Sequence, residues 1–118
     1  MTDEEAMALG LRAVACKGFR WMGGMMDMQG RTVTPCILFR AHPSDTPDFR
    51  DPATMGCLLA LVREAWGDPT ATTAATREAD RSRGWLVDCW DTQSPLSGLG
   101  PFKSEAEALV AALEAAPA

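Results

Sequence analysis

Apolar positions recur along this chain at spacings that change from block to block, and each change predicts an element. From Thr2 to Gly18, Met7, Leu11, Val14 and Ala15 fall at i, i+4, i+7 and i+8, one face of a helix. Thr2 and Glu5 form a T-x-x-E capping box at its start, Glu4 and Glu5 suit its positive end, and Gly18 stops it. Phe19 to Arg40 then reads as a hairpin. Its first strand is Phe19–Met26, its turn is Asp27–Arg31 with Gly30 able to take a positive φ, and its second strand is Thr32–Phe39. Gly23-Gly24 weakens or bends the first strand, and Pro35 confines the second to an edge or a bulge. Ala41 to Arg50 is polar, carries Pro43 and Pro47, and reads as a surface loop.

The most apolar block follows. Asp51 caps a helix, Pro52 suits its first turn, Gly67 offers a left-handed end and Pro69 prevents continuation. Between the caps, Met55, Leu58, Leu59, Val62, Ala65 and Trp66 form one face, which Cys57 and Leu61 widen. A helix apolar this far round is covered on more than one side, so it is predicted to be the core helix. Leu58, Leu59, Val62 and Trp66 are expected inside, with Leu11, Val87 and Leu109 nearby. Thr70 to Arg83 is undecided: Thr72–Arg77 suits a short strand but has little apolar content. Trp85–Trp90 is the clearest strand of the second half, and because neither face is wholly polar it is expected to be internal to a sheet. Thr92 to Pro101 is a loop with a short extended piece at Leu99–Phe102. Ser104 and Glu107 open a last helix with Ala106, Leu109, Val110 and Leu113 on one face and Pro117 at its end.

The fold class predicted is α+β: a small antiparallel sheet of two hairpins packed with about three helices, in the order α-β-β-α-β-β-α. With 118 residues the chain forms a single globular domain, residues 1–118, and 47% hydrophobic content marks it as folded. The net charge of −5 is the wrong sign for nonspecific nucleic-acid binding or for an anionic membrane. The acidic N-terminus lacks the basic segment of a signal peptide, and no apolar run approaches the roughly 20 residues of a membrane span. A cytoplasmic protein is expected, with Cys16, Cys36, Cys57 and Cys89 reduced. These cysteines lack close-spaced partners and the chain has one histidine, so no metal site is expected, and the thiols are read as small buried hydrophobes.

Candidate chemistry is sparse. His42 sits before a proline in a polar loop, and no nucleophile elbow, zinc-helix or Walker pattern occurs. Gly98-Leu99-Gly100 lacks the third glycine of a dinucleotide fingerprint, and Asp88 and Asp91 suit solvated acids at a strand end. Neither a catalytic residue nor a cofactor is assigned. Met22, Met25, Met26 and Met28 beside Trp21 admit three uses, in descending order of frequency: core packing, an adaptable contact surface, and Cu(I) ligation. Arginines cluster around the first hairpin (Arg20, Arg31, Arg40, Arg50) and the second (Arg77, Arg81, Arg83), with acids between them. That pattern allows local anion binding but no broad basic field. Arg20, Trp21, Met25, Met26 and Arg31 are the candidate binding residues.

Asp51-Pro52-Ala53-Thr54 running into Gly56-Cys57-Leu58-Leu59-Ala60-Leu61-Val62-Arg63-Glu64-Ala65-Trp66-Gly67 resembles small uncharacterised proteins encoded by bacteriophages and prophages. The tail from Ser104 to Ala116, and Arg20-Trp21-Met22 ahead of Gly30-Arg31, are similar to the same proteins. The resemblance covers about half the chain and its motifs are structural. It implies a phage accessory protein that acts in the host bacterial cytoplasm by stoichiometric binding to a host protein or protein complex. An inhibitor of a bacterial defence system, such as an anti-CRISPR, is the form this takes. Sequestering a nucleotide signal is the alternative, an unrecognised hydrolase the third, and a homodimer a further use of the contact surface.

Overall fold

The computed structural model describes residues 1–33, 46–77 and 83–117. They form an α+β domain with three helices, α1 (Asp3–Val14), α2 (Pro52–Trp66) and α3 (Glu105–Glu114), and three strands, β1 (Thr72–Arg77), β2 (Arg83–Asp88) and β3 (Leu99–Phe102). The sheet is antiparallel in the order β1-β2-β3, so β2 is internal, as its two-sided apolar pattern predicts. Thr72–Arg77 is a full strand, paired with β2 along its length from Thr72 opposite Asp88 to Arg77 opposite Arg83. Its β-branched threonines suit a pleated, half-solvated position better than their low hydropathy suggests.

Helix α3 is the hub. It packs against α1, α2 and all three strands, and Ala106, Ala108, Leu109, Val110, Ala112 and Leu113 are all buried. Alanine makes this possible, because short side chains let neighbours approach the helix from several directions. Helix α2, with 15 residues to the 10 of α3, buries only Thr54, Leu58, Leu61 and Val62. Leu59 and Trp66, expected inside, are half-buried. The Trp66 Nε1–H still finds the Ala112 carbonyl at 2.8 Å, so the indole bridges α2 and α3 with its polar edge satisfied. The N-caps and the Gly67 stop behave as the sequence predicts, whereas α1 ends at Val14 with Ala15 as its C-cap, ahead of the stop expected at Gly18. Asp51 accepts from the Thr54 N–H at 3.0 Å, and Gly67 ends α2 at φ 61°. Thr2 and Ser104 accept from the N–H groups of Glu5 and Glu107.

Helix α1 presents a different face from the one expected. Leu9, Ala6, Gly10 and Ala13 are buried, whereas Met7 and Leu11 are exposed at 39% and 54%. The reason is proximity. A Cβ on Gly10 would lie 2.7 Å from the Pro47 carbonyl oxygen and 3.1 Å from the Thr46 Cβ, so only the small-residue face fits against that segment. The order of elements also departs from expectation before α2. Among the described residues, 19–25 are not a strand, and the first hairpin is seen as a bridge between Met26 and Thr32, with a second bridge from Asp27 to Pro47. Gly24, at φ 95°, bends the chain where the two glycines predicted weakness. Thr34 to Phe39 of the expected strand Thr32–Phe39, with Pro35 and Cys36, lies outside the described residues, as do Arg40, His42 and Arg81.

Candidate functional site

Two regions gather the polar chemistry. The first is the loop from Phe19 to Val33 with the segment from Thr46 to Arg50. Asp27 is only 1% exposed, and its carboxylate organises the turn. It accepts from the Gln29 N–H, the Arg31 N–H and the Arg31 Nε–H, each at 2.9 Å. Gly30 at φ 82° lets the chain close around it. Asp48 repeats the device on the neighbouring segment, accepting from the Arg50 N–H at 3.0 Å, Nε–H at 2.9 Å and Nη2–H at 3.1 Å. The Arg50 guanidinium holds the Asp48 carboxyl below the usual carboxylate range, against the opposing effect of burial. Arg50 reaches Asp3 as well, tying the start of α1 to this segment, and the Asp48 and Asp3 carboxylates raise its own pKa.

Backbone bonds stitch the two segments together, from the Met28 N–H to the Thr46 carbonyl and from the Asp48 N–H to the Met26 carbonyl. Thr54, fully buried in the first turn of α2, accepts from the Met26 N–H at 2.7 Å and donates to Asp51 at 2.8 Å. Among the described residues, no buried side-chain nitrogen or oxygen lacks a partner. Buried polar groups are held when all their bonds are made, so this region is a clamp that joins loop, α1 and α2.

The second region is the end of the sheet beyond β2. Trp90 is 88% exposed, the barest large apolar side chain described. Its backbone is nevertheless fixed. The Trp90 N–H donates to Thr70 Oγ1 at 3.1 Å, and Thr70 is itself anchored through its own N–H to Asp68 at 2.8 Å. Those bonds from Thr70 hold the Asp68 carboxyl below its ordinary range. On the other side the Cys89 N–H donates to Asp88 Oδ1 at 2.9 Å, the Cys89 thiol donates to the Asp91 carbonyl, and the Gln93 N–H closes a turn on Asp91. Asp88 and Asp91, which flank Trp90 in the chain, are also exposed. The result is an exposed indole on a backbone anchored from both sides.

Of the residues singled out from sequence, Met25 is corrected outright. It is fully buried in the core cluster and presents nothing to a partner. Arg20 is exposed and pairs with Glu64 of α2. Trp21 is half-buried and meets Phe19 edge-on at 5.7 Å. Met26 is half-buried, and Arg31 is exposed while bound to Asp27. Trp90 was missed as a site residue because alternation placed it within an internal strand. β2 ends at Asp88, and the acids flanking Trp90 at 88 and 91 were the available signal for exposure.

The cysteines are unpaired where described. Cys16 and Cys57 are half-buried and Cys89 is buried, and burial pushes the Cys16 and Cys57 thiols up, away from reactive thiolate. Among the described residues no group of three or more His, Cys, Asp or Glu lies at metal spacing, and no helix is long and apolar enough to cross a membrane. A cleft of about 320 Å³ beside the clamp is bordered by Asp3, Asp27 and Arg50, with Arg50 already engaged by two carboxylates, an acidic lining unsuited to phosphate. No protein-family model matches the chain, and comparison with curated proteins and with solved structures gives no match.

Proposed function

We propose that the protein works by stoichiometric association with a host protein or complex, as a phage or prophage accessory protein that inhibits a bacterial defence system of the CRISPR kind. The observation that carries the binding part of this reading is Trp90, an indole 88% exposed on a backbone fixed from both sides. Exposed tryptophan is unfavourable in water, and tryptophan held rigid is the commonest kind of interface anchor because little side-chain entropy is lost on docking. The exposed Asp88 and Asp91 that flank it in sequence, on a chain of net charge −5, suit a basic partner surface. The choice of a defence complex as that partner rests on the resemblance of α2 and the tail to phage-encoded proteins.

Sequestering a nucleotide signal is the second reading. It is supported by a cleft of about 520 Å³ bordered by Arg12 and Lys17 at the end of α1, and weakened by the pairing of Arg12 with Glu114. The test is expression of the protein in bacteria whose CRISPR system targets a challenging phage. Plaque formation is expected to be restored by the wild-type protein and lost again with Trp90→Ala. Full immunity in cells that accumulate the folded wild-type protein would contradict the reading.

A further inference from the structure

The two edges of the sheet are built differently. β3 carries Pro101 at its third position, packed so closely on β2 that a Cβ on Gly84 would lie 2.5 Å from the Pro101 Cβ. That edge is blunted. β1 has no such device along Thr72-Thr73-Ala74-Ala75-Thr76.

The direction of its free backbone groups follows from β2. The Val87 carbonyl accepts from the Gly98 N–H at 2.9 Å on the β3 side, and the Trp85 carbonyl lies 2.8 Å from where a Cβ on Gly100 would be, also on the β3 side. Trp85 and Val87 therefore turn their backbone groups away from β1. Their partners in register, Ala75 and Thr73, turn theirs to the open edge, and Arg77 follows by alternation. Three residues thus present N–H and C=O groups outward, and among the described residues no bond to those of Thr73 or Ala75 is made.

From this edge we infer that two copies of the chain pair antiparallel through β1, about a two-fold axis at Ala75, to make one continuous six-stranded sheet. The register is self-complementary. Outward-facing residues 73, 75 and 77 meet 77, 75 and 73 of the second copy, so every open bond is made in both directions, as an isologous interface requires. The side chains meeting at the axis are small: Ala75 faces Ala75, and Ala74 faces Thr76. Thr73 donates its hydroxyl to Glu105 at 2.7 Å, which puts Thr73 and Ala75 on the face covered by α3. Ala75 is exposed on that same face, so α3 leaves room at the axis. A six-residue edge is a small interface, and the dimer is expected to depend on concentration.

Sedimentation and light scattering of the full chain across a concentration series test the pairing. The wild-type mass is expected to rise toward twice the 12.7 kDa of the chain. Ala75→Lys places like charges against each other at the axis, and Ala75→Pro removes only an outward N–H. Both variants are expected to stay at the single-chain mass while keeping the wild-type circular dichroism. Ala75→Lys, on an exposed position, keeps the test valid should the proline variant misfold. A wild-type mass fixed at one chain at about 1 mM overturns the inference, and so does a dimer that persists in folded Ala75→Lys. Trp90 lies outside the pairing, so loss of defence inhibition in Trp90→Ala and loss of the dimer in Ala75→Lys are separate outcomes.

Discussion

The clamp and the open end of the sheet handle the same problem in opposite ways. Around Asp27, Asp48 and Thr54, polar groups are taken out of water and each is given its partners inside the chain. Around Thr73, Ala75 and Trp90, backbone donors, acceptors and an indole on an anchored backbone are left facing solvent. The first arrangement supports folding, because a satisfied buried network rigidifies the loops it joins. The second contributes little to folding and is organised for contact. Arginine, tryptophan and methionine density drew attention to the loop as a contact surface, yet Met25 and Asp27 are consumed by its own structure.

Substitutions can break this contrast from either side. Asp27→Ala removes the buried carboxylate that accepts three bonds from Gln29 and Arg31 and closes the turn, and is expected to cost about 2–4 kcal/mol in a urea melt. Gly10→Ala, which helix propensity alone would favour by about 1 kcal/mol, is instead expected to destabilise by about 1–3 kcal/mol, because the methyl has no room against Pro47. A gain in stability there would remove the argument for a small-residue face on α1.

Asp48 supplies a test by acid. Its pKa is lowered in the folded state, so the unfolded chain takes up the proton first. The stability it contributes is complete above the ordinary carboxylate range and lost as pH falls below about 4 through the lower folded value. Asp48→Asn is expected to be less stable at neutral pH and to lose less on acidification than the wild type, read from thermal melts between neutral and acid pH. An unchanged acid limb would mean that the Arg50 pairing does not persist in solution. Smallest of all is the folding effect of Trp90→Ala, expected within about 0.5 kcal/mol because the side chain touches so little. A loss several times larger would mean that the indole packs in solution and is no anchor.

How far the sequence disclosed this architecture depended on which physical signal each part used. Caps were legible because their chemistry is local: Thr2, Asp51, Gly67 and Ser104 all act as their side chains dictate. The Asp27–Arg31 turn and the internal place of β2 were legible for the same reason. Burial was less so. The large apolar side chains of α2 and Leu11 drew the prediction toward them and away from α3 and Gly10, whereas the fold selected helix faces by how closely neighbours could approach, and alanine and glycine win that contest. Trp90 was hidden because alternation describes which face a strand residue takes and says nothing of where the sheet ends.

Residue-by-residue amide hydrogen exchange at low and high protein concentration tests the contrast most directly. The N–H groups of Asp27, Arg31, Val33 and Asp48 are bonded within the chain, and their exchange is expected to be slow at every concentration. Those of Thr73 and Ala75 are expected to exchange quickly in dilute solution and to slow as concentration rises and the edges pair. Clamp amides exchanging as fast as Thr73 and Ala75 in dilute solution, or edge amides already protected there, would contradict the division between a closed region that holds the fold and an open one that meets a partner.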